Sequence, residues 1–251
     1  MNKVGGEHID LNCDLGEGAP HDQALMSLAT SVNIACGGHA GDEDSMAAAV
    51  ALARDHGVAI GAHPGHLDRE HFGRRELAIT PREAARLVVD QIERLAAVIG
   101  EPPRHVKLHG GLYHQAGRDE QLAEAVVDAV TGRWPEMMLF ALAGSRLAAV
   151  ARSRAAAVAV EAFIDRAYAA DGTLLPRSQP GAVIRDAAAA ADRVVRLVRE
   201  GVVEAADGTL IAIRADTLCI HGDGPDPVAL ARAVREALAA AGIAVRPAAG
   251  G

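Results

Sequence analysis

The sequence predicts an α/β protein in which about seven parallel strands form a closed or nearly closed (β/α) barrel. Short apolar runs alternate along the chain with longer stretches of helical periodicity, and no linker or repeat interrupts them. At 251 residues the chain is long enough for one such barrel, so residues 1–251 are predicted to be a single domain. Hydrophobic residues make up 50% but aromatic residues only 2%, which favours an aliphatic core between helices and sheet.

The individual strands and helices follow from these periodicities and from the turn residues at their ends. Strands are expected at residues 9–17 including the following loop, from residue 31, and at 58–63, 105–109, 137–142, 158–164 and 217–220. Helices are expected at residues 43–56, 80–99, 119–130 and 183–200, and from residues 145 and 226. Residues 207–213 are typical of a turn and a short strand outside this alternation.

Capping residues mark two of the helix starts. Asp42 precedes residues 43–56 as an N-cap, and Gly57 follows them as a stop. The segment Thr80-Pro-Arg-Glu83 is a capping box with proline at the first helical position. Residues 64–79 between these helices form a long loop, which in a compact domain is often functional.

The first strand has one polar face. Asp10, Asn12 and Asp14 share that face, because side chains alternate along a strand. Charged groups cannot be buried in hydrocarbon without partners. This face is therefore expected to line a site or to meet solvent.

Charge and cysteine content exclude several classes of protein. The formal net charge of -8 argues against a nucleic-acid partner, whose phosphates need a basic surface. Three cysteines, with no recognisable signal peptide or membrane span, predict a reduced cytoplasmic protein without a membrane partner.

The carboxyl ends of the predicted strands carry the residues suited to chemistry. Four apolar strands lead to a histidine with a glycine close after it, at His39, His63, His109 and His221. In a β/α barrel these ends meet at one mouth, where sites form. The remaining strand-end candidates are Asp14, Glu17, Lys107, Asp165, Arg166 and Asp223.

Two chemistries fit this set. Asp14 with His39 and His63 could hold Zn²⁺ or another divalent ion that activates water, although no His-x-x-x-His pair is present. Alternatively, carboxylates act as general bases in metal-free or Mg-nucleotide-assisted amide chemistry, while Lys107 and arginines bind an anionic substrate. No Walker or dinucleotide glycine pattern occurs in the chain.

Seven motifs, taken together, resemble the LamB/YcsF family over about residues 8–245. In chain order they are Asp10-Leu-Asn-Cys-Asp-Leu-Gly-Glu17, Asn33-Ile-Ala-Cys-Gly-Gly-His-Ala-Gly-Asp42, Ile60-Gly-Ala-His-Pro-Gly65, Phe72-Gly-Arg-Arg75, Lys107-Leu-His-Gly-Gly-Leu-Tyr113, Asp165-Arg-Ala-Tyr168 and Ile220-His-Gly-Asp223. Gly38 stands where that family usually has phenylalanine, so we expect a wider pocket there.

This resemblance implies a distorted β/α barrel similar to those of polysaccharide deacetylases. It also implies the activity of the A subunit of a prokaryotic ATP-dependent 5-oxoprolinase, a hydrolase acting on a cyclic amide. The reaction opens the lactam of 5-oxo-L-proline to L-glutamate and is coupled to ATP hydrolysis. The implied partners are the B and C subunits of 5-oxoprolinase, with ATP and Mg²⁺ bound on this chain or on a partner.

For that activity we assign roles to the strand-end residues. Asp14 or Glu17 is the general base, and Lys107 neutralises a phosphoryl oxygen or a substrate carboxylate. His39, His63 and His109 polarise the amide, move protons or bind a cation. The substrate-binding set is Asn12, Arg75, Asp165, Arg166, Arg177, His221 and Asp223.

Two other functions remain open from the sequence. One is a metal-dependent amidase or deacetylase that acts alone without ATP. The other is a non-catalytic subunit that binds the substrate or a partner protein.

Overall fold

The computed structural model of this chain describes residues 8–222, 224 and 226–248. The strands are β1 (His8–Leu15), β2 (Ser31–Ala35), β3 (Ala59–His63), β4 (His105–Lys107), β5 (Met138–Leu142), β6 (Val158–Phe163), β7 (Val202–Glu204), β8 (Leu210–Ala212), β9 (Thr217–His221) and β10 (Ala244–Val245). The helices are α1 (Asp22–Met26), α2 (Glu43–His56), α3 (Pro81–Ile99), α4 (Gly110–Arg118), α5 (Glu120–Arg133), α6 (Arg146–Ser153), α7 (Ala187–Glu200) and α8 (Pro227–Ala240).

Seven of these strands close into a barrel with parallel pairing throughout. Their order is β1-β2-β3-β4-β5-β6-β9, and β9 pairs again with β1. Strand β10 pairs with the start of β1, while β7 and β8 form a separate antiparallel hairpin. The predicted fold class and the short excursion before the last barrel strand are therefore confirmed.

The largest difference from the sequence prediction is α4, which begins immediately after His109. The sequence predicted no helix between the strand ending at His109 and residue 119. Gly110 has a φ of +50°, and a Cβ on Gly111 would collide with the carbonyl oxygen of Arg75. These glycines allow the helix to pack closely against the long loop, so they do not mark a break.

Smaller differences have local causes. Helix α7 begins at Ala187, four residues later than residue 183, because the Asp186 side chain accepts hydrogen bonds from the backbone N–H groups of Ala188 and Ala189. Helix α1 and strand β10 were not predicted, because both are too short to show a hydrophobic periodicity. The N-caps predicted at Asp42 and Thr80 are both present as capping boxes.

The barrel interior is polar, and the aliphatic core lies between the strands and the helices. The Asp10 carboxylate accepts hydrogen bonds from the hydroxyl groups of Thr30, Ser31 and Thr217 at 2.6–2.8 Å. Burial nevertheless raises the pKa of Asp10. The alternating residues Ile9, Leu11, Cys13 and Leu15 join the apolar core. The polar face of the first strand thus lines a closed interior that leads to a site.

None of the helices among the described residues is long and apolar enough to span a bilayer.

The packing inside the barrel can be tested at Gly61 on β3. The ring of His105 on β4 occupies the space that a Cβ on Gly61 would need. His105 cannot retreat, because its buried ring stacks on Phe140 with 4.1 Å between centroids. Burial also lowers the pKa of His105 to about 3, so this ring is neutral at physiological pH.

We expect the Gly61→Ala substitution to lower the free energy of unfolding by about 1–3 kcal/mol, measured by urea denaturation. Gly132→Ala is the matched control, because a Cβ at that position on α5 meets open space. It should raise stability by about 0.5–1 kcal/mol, since alanine is the better helix former. Wild-type stability in Gly61→Ala would contradict the interior packing described above.

Candidate active site

The carboxyl ends of five barrel strands open into one cavity of about 380 Å³. Each of these strands, β1, β3, β4, β6 and β9, contributes one side chain to its wall: Asp14, His63, Lys107, Phe163 and His221. The loops and α4 contribute Glu17, Arg74, Glu76, Leu108, His109, Gly110, Tyr113, His114, Arg118, Arg166, Leu174, Leu175, Pro176 and Arg177.

Lys107 is a buried cation held by two carboxylates of the barrel. Its Nζ lies 2.9 Å from Asp14 Oδ1 and 3.0 Å from Glu161 Oε1. Asn12 and Tyr113 complete the network by donating to Glu161 at 3.0 and 2.6 Å. Burial alone would lower the pKa of Lys107, but the neighbouring negative charges raise it well above its usual value. Lys107 is therefore charged, and its charge is balanced by the barrel itself.

Asp14 uses one oxygen for this network and turns the other toward the cavity. Oδ1 accepts hydrogen bonds from Lys107 and from Asn33 Nδ2 at 2.9 and 2.8 Å. Oδ2 lies 3.3 Å from His63 Nε2 and 4.0 Å from His221 Nε2. Burial would raise the pKa of Asp14, but the charges of His63 and Lys107 hold it well below its usual range. Asp14 is consequently ionised at neutral pH.

Three histidines gather around the Glu17 carboxylate. Glu17 Oε1 is 2.9 Å from His39 Nε2, 3.4 Å from His109 Nδ1 and 3.8 Å from His63 Nε2. The rings of His39 and His109 stack with 3.6 Å between centroids, so His39 lies behind the cavity wall. Chain segments far apart in sequence therefore deliver one compact, buried cluster.

Gln91 from α3 holds the loop that carries part of this cluster. Its side-chain amide donates to the Gly65 carbonyl at 2.7 Å and accepts from the Gly65 N–H at 3.1 Å. A Cβ on Gly38 would meet Gln91 and the Gly65 carbonyl oxygen. The glycine at position 38 therefore makes room for Gln91, and the wider pocket expected there is not found.

His221 and Asp165 form a second, separate acid–histidine pair. His221 Nδ1 lies 2.8 Å from Asp165 Oδ2, and the imidazole stacks on Phe163. Burial would raise the pKa of Asp165, but the charge of His221 lowers it. Because the carboxylate accepts, Nδ1 carries a hydrogen in either charge state, and in the neutral ring Nε2 is left as an acceptor on the side of Asp14.

The cavity wall is more basic than the chain as a whole. Four arginines and Lys107 line it against three carboxylates, although the chain carries a net charge of -8. Arg118 is paired with Glu76. Arg166 is buried, and its Nε has no hydrogen-bond partner among the described residues. Burial and the nearby charge of Arg177 lower the pKa of Arg166. An anionic ligand bound at this wall would therefore stabilise the charged form of Arg166.

Not every residue predicted from the sequence reaches the cavity. Asn12 lies inside the barrel, and Asp165 lies behind His221. Arg75 is paired with Asp68 at 3.0 Å, and 53% of its side chain is exposed. Neither Asn12 nor Arg75 has a polar group available in the cavity lining. Asp223 lies outside the described residues.

Several residues that line the cavity were not predicted to have a role there. Tyr113 and Arg118 lie on α4, and that helix was not predicted. Tyr113 follows His109 by four positions, which places both on one helix face. That spacing was the available signal. Phe163 was not selected because it reads as an ordinary apolar strand residue.

One group of side chains could hold a metal ion. The donor atoms of Glu17, His39, His63 and His109 all lie within 4.8 Å of one another. Asp14, Cys219 and His221 also satisfy that distance. However, Cys219 Sγ accepts a hydrogen bond from the charged Lys107 Nζ at 2.9 Å, and this cation disfavours a metal ion beside it.

The chain is similar to known proteins over nearly its whole length. The model of the LamB/YcsF family matches residues 9–250. The A subunit of 5-oxoprolinase from Heliobacterium modesticaldum is 50% identical over 95% of this chain and 97% of its own length. The corresponding protein from Bordetella pertussis is 49% identical over 96% of this chain and 98% of its own length.

Solved structures share the barrel. The lactam utilization protein from Thermus thermophilus superposes with a TM-score of 0.89 and 46% identity, over 95% of this chain and 99% of that one. The peptidoglycan deacetylase PdaC from Bacillus subtilis has a TM-score of 0.52 and 15% identity, over 96% of this chain and 87% of that one. The second likeness shows a common fold alone.

The buried charge network can be tested with Lys107→Met, which removes the cation and keeps much of the aliphatic volume. Asp14 and Glu161 would then be left uncompensated, so we expect a loss of about 3–5 kcal/mol in the free energy of unfolding. The double variant Lys107→Met/Glu161→Gln should recover part of that loss. Urea denaturation at neutral pH measures both, and an unchanged stability in Lys107→Met would contradict the pairing.

Proposed function

This chain belongs to the LamB/YcsF family, and we propose that it is the lactam-hydrolysing A subunit of an ATP-dependent 5-oxoprolinase. Its reaction would open the ring amide of 5-oxo-L-proline to give L-glutamate. The observation that carries this proposal is one cavity that joins an ionised Asp14, a histidine–carboxylate cluster and an arginine-rich wall. Relatives about half identical over nearly their whole length are named for that activity.

Coupling to ATP has a chemical reason. An unstrained five-membered lactam is a poor electrophile. Transfer of the γ-phosphoryl group of ATP to its oxygen, with release of ADP, would activate the ring carbon toward water. Cleavage of the carbon–nitrogen bond would then leave an acyl phosphate, which a second water would hydrolyse to the carboxylate and phosphate. We propose that ATP, with Mg²⁺, is bound on a partner protein or at an interface with it, since this sequence has no Walker pattern. The relatives are named as one lettered subunit, which supports a multi-subunit enzyme, and we propose the B and C subunits of 5-oxoprolinase as the partners.

We assign Asp14 to accept the proton of the attacking water. The carboxylate is ionised, and its Oδ2 faces the cavity while Oδ1 is fixed by Lys107 and Asn33. This fixed orientation would let it act without reorganising its surroundings. Of the two carboxylates considered from the sequence, Asp14 suits this role better, because Glu17 is occupied by three histidines.

We assign His221 to pass a proton to the ring nitrogen as the carbon–nitrogen bond breaks. Asp165 fixes its tautomer, so Nε2 is the nitrogen that can take up and release a proton in the cavity. Nε2 also lies 4.0 Å from Asp14 Oδ2, the oxygen that would receive the proton of water.

The basic wall would bind the substrate carboxylate. Arg166 and Arg177 contribute to the same wall, where the charge of Arg177 disfavours that of Arg166 and Asp165 offsets part of this effect. A carboxylate matches the planar donor fork of arginine. The positive charge of this wall thus favours a lactam substrate with an acidic group and disfavours one with an ammonium group.

We further propose that the protein works in the cytoplasm. The described cysteines, Cys13, Cys36 and Cys219, are free and buried, as is usual in reduced compartments.

A second candidate function is a metal-dependent amidase that acts alone. The four clustered donors Glu17, His39, His63 and His109 favour it. Glutamate release by this chain without ATP or partners would support the amidase. Full turnover by the B and C subunits without this chain would instead indicate a non-catalytic role.

The proposal is tested by reconstituting glutamate release from 5-oxo-L-proline with this chain, the B and C subunits, and ATP. We expect His221→Asn to lower kcat by about 10²–10⁴-fold, because the proton donor to the ring nitrogen is lost. The control is His56→Asn, an exposed histidine at the end of α2, which should retain wild-type kcat. A wild-type kcat in His221→Asn would remove His221 from the mechanism.

A further inference from the structure

Two backbone carbonyl groups fix the hydrogens of two cavity histidines. His63 Nδ1 lies 2.8 Å from the carbonyl oxygen of Lys107, and His109 Nε2 lies 2.8 Å from that of Phe72. A carbonyl oxygen can only accept, so both of these nitrogens must carry hydrogen. In the neutral rings, His63 Nε2 and His109 Nδ1 are therefore the nitrogens with lone pairs.

These two lone-pair nitrogens point at each other. They are 2.9 Å apart, and Glu17 Oε1, which is also an acceptor, lies 3.8 Å and 3.4 Å from them. The imidazoles of His63 and His109 are both buried. Acceptors that face one another away from water are unfavourable unless a positive charge lies between them. That charge is either a proton on His63 Nε2, which gives His63 the charge that acts on Asp14, or a metal ion.

His39 orients Glu17. Its Nε2 is 2.9 Å from Glu17 Oε1, and its ring stacks on that of His109 with 3° between the ring planes. Two parallel rings cannot both direct a lone pair at one ion, so His39 is a positioning residue and not a ligand. Ligands that share one ion at about 2.1 Å lie roughly 3–4 Å from each other. The separations between the donor atoms of Glu17, His63 and His109, from 2.9 to 3.8 Å, fall in that range.

We propose that Glu17, His63 and His109 bind one divalent transition-metal ion, with zinc as the best match. Two imidazole nitrogens and one carboxylate, with a fourth position left open, suit Zn²⁺ or Co²⁺, whereas Mg²⁺ and Ca²⁺ prefer oxygen ligands. The set differs from the ligands considered from the sequence, because Glu17 and His109 enter it and His39 leaves it. Asp14 is not in this group of donors, and its Oδ1 is bound to Lys107 and Asn33.

The backbone contacts also fit a ligand role. A metal-binding histidine usually donates its second ring N–H to a carbonyl or carboxylate, which orients the ring and fixes its tautomer. His63 and His109 both do so. The inference deepens the proposed function, because a bound ion would polarise a water or an amide oxygen in this cavity.

The test is metal binding by the full chain alone. The protein is treated with EDTA, dialysed against buffer containing ZnCl₂ or MgCl₂, passed over a desalting column and assayed for metal by mass spectrometry. We expect about one Zn²⁺ and no Mg²⁺ per chain. CoCl₂ in place of ZnCl₂ should give visible absorption bands, and Zn²⁺ should raise the thermal unfolding midpoint.

Glu17→Gln and His109→Asn should each weaken Zn²⁺ binding by more than about ten-fold, while circular dichroism confirms that they fold. His114→Asn is the matched control, because His114 lines the same cavity but is not one of the three donors. It should retain the wild-type amount of Zn²⁺.

A wild-type chain that retains less than about a tenth of an equivalent of Zn²⁺ would overturn the proposal. The positive charge between His63 Nε2 and His109 Nδ1 would then be a proton. Full Zn²⁺ retention by both folded donor variants would overturn it as well. Zinc binding without lactam turnover would overturn only the proposed reaction. Turnover by the chelated, zinc-free assembly would overturn the part of a bound metal in the reaction and leave the proposed lactam hydrolysis standing.

Discussion

The pairing of Lys107 with Asp14 and Glu161 is the interaction on which the rest of the site depends. An ammonium group inside a barrel is tolerated only when opposite charges and hydrogen bonds surround it, and these two carboxylates supply them. The three residues come from β4, β1 and β6, so the same contact fixes the relative positions of three strands. It also keeps Asp14 ionised and oriented at the mouth, where the chemistry is proposed.

The polar side chains inside the barrel therefore have different roles at different positions along its axis. On β1, Asp10 is enclosed by three hydroxyl groups, Asn12 belongs to the lysine network, and Asp14 reaches the cavity. Side chains two residues apart on one strand thus pass from a structural role to a chemical one. At the mouth, the histidine cluster around Glu17 and the His221–Asp165 pair are separate units that meet near Asp14 Oδ2. The arginine-rich wall completes a cavity suited to an anionic substrate.

Much of the fold could be predicted from the sequence, because strand and helix periodicities are local and each barrel strand contributes its own pattern. The strand-end histidines were expected to meet at one end of the barrel, and they lie together there, since parallel strands bring their carboxyl ends together. Contacts across the barrel could not be predicted in this way. Asn12 and Arg75 were selected by residue type, but their partners Glu161 and Asp68 hold them outside the cavity lining. Helix α4 was missed because a glycine pair that permits close packing looks the same in sequence as a turn, and Tyr113 was overlooked with it.

The role of the Asp14 carboxylate is tested most directly by the rate of glutamate formation by the reconstituted assembly carrying Asp14→Asn. Asparagine keeps the shape of Asp14 and an oxygen for Lys107, but it cannot accept the proton of water. We expect a folded protein whose kcat falls by about 10²–10⁴-fold. A folded Asp14→Asn variant with the wild-type kcat would show that the charge held in place by Lys107 is not the one that the reaction uses.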